Sequence, residues 1–189
     1  LYLTGGAMRD MLGGFAITDL DFTVEGNAVR LAKDIVKARK AALVSVDEHR
    51  KCAEILFPTG VSCGIAMARM EKYTKPGSRP QITPATIHED LRGRDFTMNA
   101  IGLSLNRASR GLMIDPTNGA GDIEHREIRA TSNSTLYDDP ARLLRLIRFK
   151  ARFGFNIESR TQLQYGNVRE AGVEMNIPPR SLYAELKQI

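Results

Sequence analysis

The chain has 189 residues and a mass of 21.0 kDa, with 27 Lys and Arg against 22 Asp and Glu for a formal charge of +5. That is room for one full domain and part of a second, which excludes a mini-protein scaffold. Its 42% hydrophobic and 26% charged residues exclude wholesale disorder and a fibrous architecture, and 19 of the 27 cations are arginine, the residue whose planar fork suits phosphates and base edges.

Charges break every apolar stretch before the roughly 20 residues needed to span a bilayer, and no basic-then-apolar signal segment opens the sequence. Cys52 and Cys63 provide neither a disulfide framework nor paired zinc spacing. A soluble cytoplasmic protein with reduced thiols and no membrane partner is expected. The β-type run Leu1-Tyr2-Leu3-Thr4 has no preceding turn, and the helix start at Ser181 stops after two turns, so the chain is expected to begin late and end early.

In chain order, a strand and a glycine turn lead to Met8 to Leu12, a β run from Ile17 to Val24 and a helix from Ala28 to Lys40. Strands follow at Ala41 to Val46, Ala53 to Phe57 and Cys63 to Met67, with Pro58-Thr59-Gly60 as a turn. A loop is expected from Lys72 to Pro84, then a short helix at Ile87 to Arg92, apolar runs at Met98 to Leu105 and Leu112 to Ile114, and a turn over Asp115 to Gly119. Strand signals vanish from Asp138 onward. The pattern divides into an α+β head, residues 1–137, and a partial all-helical neck, residues 138–189.

In Ile17 to Val24 alternation puts Asp19 and Asp21 on one face and Leu20, Phe22 and Val24 on the other. Two carboxylates about 7 Å apart can converge on shared divalent cations, and without one they repel. Magnesium fits because it takes oxygen ligands and keeps positions open for water and phosphates. An Asp-x-Asp alone is more often a solvated strand edge. Here a strand ending in Gly5-Gly6 precedes it, where bare backbone can approach a phosphate, and Arg9 lies a turn further on. Together they form the layout expected for nucleotidyl transfer.

The second pattern is Asp138-Asp139-Pro140-Ala141-Arg142-Leu143-Leu144-Arg145-Leu146-Ile147-Arg148-Phe149. Asp before Pro predicts a helix start. Arg142, Arg145, Arg148 and Arg152 then fall within an arc of about 120° opposite an apolar face. A solvated amphipathic helix is the plainer reading, but four arginines without an acidic partner four residues further on suggest a ligand. Asp139 and Arg142 are placed to read the edge of a base.

Gly5 to Asp10 with Asp19-Leu20-Asp21, then Arg94-Asp95-Phe96-Thr97-Met98-Asn99-Ala100, then Asp115 to Asp122, then Asp138 to Phe149 closely resemble the ordered motifs of the bacterial-type (class II) tRNA nucleotidyltransferases, the CCA-adding enzymes, and of the related bacterial poly(A) polymerases. The resemblance implies a polymerase-β-like nucleotidyltransferase head, with a mixed sheet and flanking helices, joined to the helical neck. It implies two magnesium ions on Asp19 and Asp21, the catalytic and metal-holding pair. Nucleotide-binding roles fall to Gly5, Gly6 and Arg9 at the triphosphate, Arg94 and Asp95 at the ribose, and Asp139, Arg142, Arg145 and Arg148 around the base of ATP or CTP. The stretch from Asp115 to Asp122 would hinge head and neck.

The implied activity is nucleic-acid-template-independent transfer of AMP or CMP to an RNA 3′ hydroxyl, most naturally a tRNA end. The alternatives are a poly(A) polymerase, a catalytically weak RNA-binding relative, or a small-molecule nucleotidyltransferase, for which the arginine-faced neck is unnecessary. Three positions depart from the pattern, one of them Asp138, where relatives carry Glu. Relatives often carry an acidic residue where this chain has Gly64, with Glu54 on the neighbouring run as a substitute if the strands align, and Gly93 replaces the first of two adjacent arginines.

Overall fold

A computed structural model describes residues 1–188. The chain runs β1 (Tyr2–Thr4), α1 (Gly6–Leu12), β2 (Asp21–Val24), α2 (Ala28–Arg39), β3 (Ala42–Asp47), β4 (Cys52–Leu56), β5 (Ser62–Met67), β6 (Arg69–Lys72), β7 (Gln81–Pro84), α3 (Ile87–Arg92), β8 (Gly102–Ser104) and β9 (Met113–Ile114). It continues through α4 (Gly119–Glu124), β10 (Glu127–Ile128), α5 (Thr135–Asp138), α6 (Ala141–Phe153), β11 (Asn156–Ile157), α7 (Ser159–Glu170) and α8 (Pro179–Leu186).

Seven strands form one mixed sheet in the order β3-β4-β5-β2-β1-β8-β9, with β2 and β5 parallel and its other pairs antiparallel. The parallel pair needs a crossover, and α2 belongs to it. Asn27 starts that helix by accepting from the Arg30 amide at 2.9 Å, and Lys40 ends it with φ 52°. Ala28 and Ala32 of α2 pack on Ala53, Ile55, Cys63 and Ile65, with Phe22 and Val24 beside them. This apolar cluster takes up one face of the central strands, and the alternate residues are left for the opposite face.

A second core joins the head to the helices beyond it: Met8, Phe96, Met98 and Ile101 pack with Leu143, Leu146, Phe149 and Phe153. Gly119 marks the joint, because a Cβ there would lie 2.0 Å from the Thr97 carbonyl oxygen. Asp115 supports the same turn by accepting from the Gly119 and Ala120 amides at 2.7 and 2.9 Å.

Three local expectations change. The segment expected as a loop from Lys72 to Pro84 is bounded by a hairpin: β6 and β7 pair from Arg69↔Pro84 to Lys72↔Gln81. Its short strands of mixed polar residues lack the apolar alternation that signals a strand. Residues after Asp138 include β11, two residues paired in parallel with β10, too short to carry a period. Asp19 precedes β2, which starts at Asp21, although the Gly64 amide already reaches the Leu20 carbonyl at 2.9 Å.

Candidate nucleotidyl-transfer site

The end of β2 nearest α1 gathers the first group of residues. Asp21 pairs with Thr4 of β1 on one side and Gly64 of β5 on the other. Its carboxylate uses space that the glycines leave free: a Cβ on Gly64 would stand 2.7 Å from Oδ1, and one on Gly5 would stand 3.9 Å from Oδ2. Loss of hydration against the surrounding protein pushes the Asp21 carboxyl up; the Arg94 charge opposes this, and Asp19 adds to it. Asp19 is exposed, its Oδ2 accepting from Thr18 Oγ1 at 3.0 Å. Among the described residues neither aspartate has a salt bridge within 4.0 Å. Oxygen donors without a salt bridge, beside glycines that leave space above the strand, fit magnesium, and Asp19 and Asp21 are the residues that would hold it.

Gly5, with φ 69°, turns β1 into α1. Arg9, one turn along, is buried: Nε donates to Asp10 at 2.7 Å and Nη1 to Asn99 at 2.9 Å. Its guanidinium lies 4.6 Å from the Phe153 ring centroid and 5.2 Å from that of Phe149. Nη2 stands against Gly6, 3.5 Å from where a Cβ would be. Arg9 therefore ties the glycine turn to α6 and faces the turn with its remaining nitrogen.

Arg94 lies under the same turn. Its Nη2 donates to Thr4, Thr23 and Asp90 at 3.0 to 3.1 Å, and a Cβ on Gly5 would lie 3.0 Å from Nη1. Asp95 is buried and accepts from Asn99 Nδ2 at 3.0 Å, from the Phe96 amide at 2.7 Å and from Arg145 Nη1 at 2.9 Å. Burial alone would raise its pKa, but Arg145 and Arg142, with the Asn99 bond, hold the carboxyl below the usual range.

The second group lies on α6. Asp139 is extended just before the helix and accepts from the Ala141 amide at 3.2 Å, so it caps the helix as expected of its sequence position, with Pro140 between. Arg142 Nε stands 3.6 Å from Asp139 Oδ2. The missing acidic partners of the arginine stripe come from distant parts of the chain. Arg145 bridges Asp95 at 2.9 Å and Glu185 of α8 at 2.7 Å, Arg148 meets Glu185 at 2.9 Å, and Arg152 approaches Asp10 at 3.6 Å. Burial would weaken the Arg145 charge, but Asp95 and Glu185 hold it firmly protonated.

Sequence reasoning passed over three contributors. Asn99 connects Arg9 to Asp95; it stood inside a quoted motif without a role. Glu185 is 3% exposed between two arginines, yet it lies 40 residues from Arg145. Tyr73 follows β6; burial and the nearby Glu71 push its hydroxyl pKa up, while the Arg142 charge pulls it down and Asp139 raises it. The Gly77 amide donates to the Asp138 carbonyl at 3.1 Å, which docks the hairpin loop on the start of the helical region.

A mixed sheet with a glycine turn and two open aspartates, closed from one side by an arginine-bearing helix, defines a nucleotidyltransferase head of the polymerase-β-like type. Residues 1–129 match the Poly A polymerase head domain, and the chain belongs to that family. Over 190 aligned residues it is 34% identical to an A-adding tRNA nucleotidyltransferase of Aquifex aeolicus, covering 98% of this chain and 22% of the relative. It also resembles a CCA-adding enzyme solved in an apo form, with TM-score 0.89 and 35% identity over 100% of this chain and 44% of that one. A tRNA nucleotidyltransferase solved with a primer tRNA and an incoming ATP analog gives TM-score 0.83 and 31% identity, covering 98% of this chain and 51% of that chain. The chain thus spans between about a fifth and a half of the length of these proteins. Among the described residues no helix is long and apolar enough to cross a membrane.

Proposed function

We propose that the chain is the head and first part of the neck, divided near residue 137, of a cytoplasmic enzyme that adds AMP or CMP from ATP or CTP to the 3′ end of tRNA. The observation that carries this reading is Asp19 and Asp21, without a salt bridge, beside the Gly5-Gly6 turn. In the reaction the RNA 3′ oxygen forms a bond to the α-phosphorus, the bond to the β-phosphate bridging oxygen breaks, pyrophosphate leaves and the 3′ hydroxyl gives up its proton. Asp19 and Asp21 would hold the magnesium, two ions in the proposed reading, and when bound it would supply Lewis-acid stabilisation of charge on the phosphate and 3′ oxygens.

The chain's own residues do the positioning. Gly5 and Gly6 let the triphosphate approach the backbone, and Arg9 Nη2 faces that turn. Arg94 and Asp95 shape the floor beneath the ribose. Asp139 and Arg142 offer an acceptor and a donor edge to the base, and Arg145 and Arg148, pinned by Glu185, hold the wall behind them. The likeness to proteins named for A-addition and CCA-addition supports tRNA as the acceptor.

Asp19→Ala in the full-length protein should abolish incorporation of labelled ATP or CTP into a tRNA lacking its 3′ end, with the fold intact by circular dichroism; retained incorporation overturns the assignment. Arg142→Ala should blur the choice between ATP and CTP in a competition assay more than it slows addition. Unchanged discrimination would remove the base-reading role.

A further inference from the structure

The opposite face of the central strands carries a feature that the aspartate pair alone does not explain. Register places Glu54 of β4 opposite Gly64 of β5, and Gly64 opposite Asp21 of β2, so all three positions share one face in a row across the sheet. The middle position has no side chain. The Asp21 carboxylate leans into that gap, with Oδ1 2.7 Å from where a Cβ on Gly64 would stand.

Two strand spacings, roughly 9.6 Å, separate the Glu54 and Asp21 backbones, a span that a glutamate and an aspartate reaching toward each other can bridge through a hydrated cation. As placed, no three acidic, histidine or cysteine groups among the described residues enclose an ion. Glu54 is exposed, and its contact is a 3.5 Å approach from the Ser45 hydroxyl, so little holds it away from the gap.

We propose that Glu54 is the third carboxylate of the divalent-cation site, reaching across the space that Gly64 leaves open. The inference rests on the reading of Asp19 and Asp21 as the metal pair. It makes the glycine part of the site's design: bare backbone in the middle strand lets two carboxylates from the flanking strands face one ion. Glu54 supplies charge and one oxygen, and Asp21 remains the ligand nearest the glycine turn.

The test titrates Mn2+ into the full-length protein without nucleotide, following free Mn2+ by electron paramagnetic resonance. Glu54→Gln should bind roughly ten-fold more weakly than the unmodified protein, because affinity at such sites follows ligand number and charge. Glu54→Asp keeps the charge but shortens the arm, and it should be impaired as much as Glu54→Gln. Wild-type affinity in Glu54→Gln overturns the proposal, and wild-type affinity in Glu54→Asp reduces Glu54 to a distant field and overturns it as a ligand. Asp21→Asn separates the two readings. If it loses Mn2+ while Glu54→Gln does not, the third-ligand proposal alone fails; if Asp21→Asn binds normally, the metal pair itself is wrong.

Discussion

The two ends of the candidate site treat charge in opposite ways. At the head end, Asp19 and Asp21 stand beside bare backbone without a salt-bridge partner, and burial raises the Asp21 pKa against the pull of Arg94. On α6, every arginine of the stripe from Arg142 to Arg152 has a carboxylate within 2.7 to 3.6 Å, drawn from Asp139, Asp95, Glu185 and Asp10. A carboxylate whose neighbouring cations do not offset its lost hydration costs the folded protein stability and makes sense as a place for a metal ion. A compensated row of cations holds elements together before it meets any ligand. The arginine stripe of α6 is therefore largely architectural, and a nucleotide would meet an edge of it already fixed in geometry.

The largest effect should come from unbalancing the arginine end. Glu185→Ala leaves Arg145 and Arg148 facing each other without their shared carboxylate. Breaking a buried pair in this way costs about 3 kcal/mol, at the low end because Arg145 is 36% exposed. Chemical denaturation measures it, and a loss under about 0.5 kcal/mol would mean that the stripe is held by packing alone. Next comes Asp95→Asn, at about 2 kcal/mol near neutral pH. Asp95 has a folded pKa below its unfolded value of about 3.9. Its contribution is thus present above that value and lost as pH falls through the lower folded pKa. The variant should lack this acid limb in a stability-against-pH series. An unchanged limb would move the acid sensitivity to other carboxylates.

How much of this was legible from sequence follows the same divide. The glycine turn and the start of α6 are local patterns, and Gly5-Gly6 and Asp139-Pro140 could be read because their spacing alone fixes their relation, whereas Asp19 lies ahead of β2, where strand alternation does not set its direction. Beyond Asp139, three residues before Arg142, the partners of the arginines were illegible. A helix period tests positions three and four apart, whereas Asp95 and Glu185 arrive from 50 and 40 residues away. Strand register was also out of reach, so the alignment of Glu54, Gly64 and Asp21 appears only once the sheet is assembled. The β6 and β7 hairpin escaped because its polar strands gain their identity by pairing.

The smallest effect is the sharpest test of the contrast, because its sign should reverse. Desolvation raises the Asp21 pKa; the Arg94 and Arg9 charges oppose it, and the Asp19 and Glu54 charges add to it. A carboxyl whose folded pKa lies above its unfolded value costs stability once pH exceeds both, because the folded state then holds a charge that it accommodates less well than water does. With divalent cations chelated at neutral pH, Asp21→Asn should therefore match or exceed the unmodified protein by about 0.5 kcal/mol. Adding magnesium should stabilise the unmodified protein by mass action, about 2.7 kcal/mol at a hundred times its dissociation constant, and leave the variant nearly unmoved. Melting curves with chelator and with magnesium read both. Two proteins that keep the same order in both conditions would show that the open aspartates are ordinary surface charges, and the opposition between the two ends of the site would collapse.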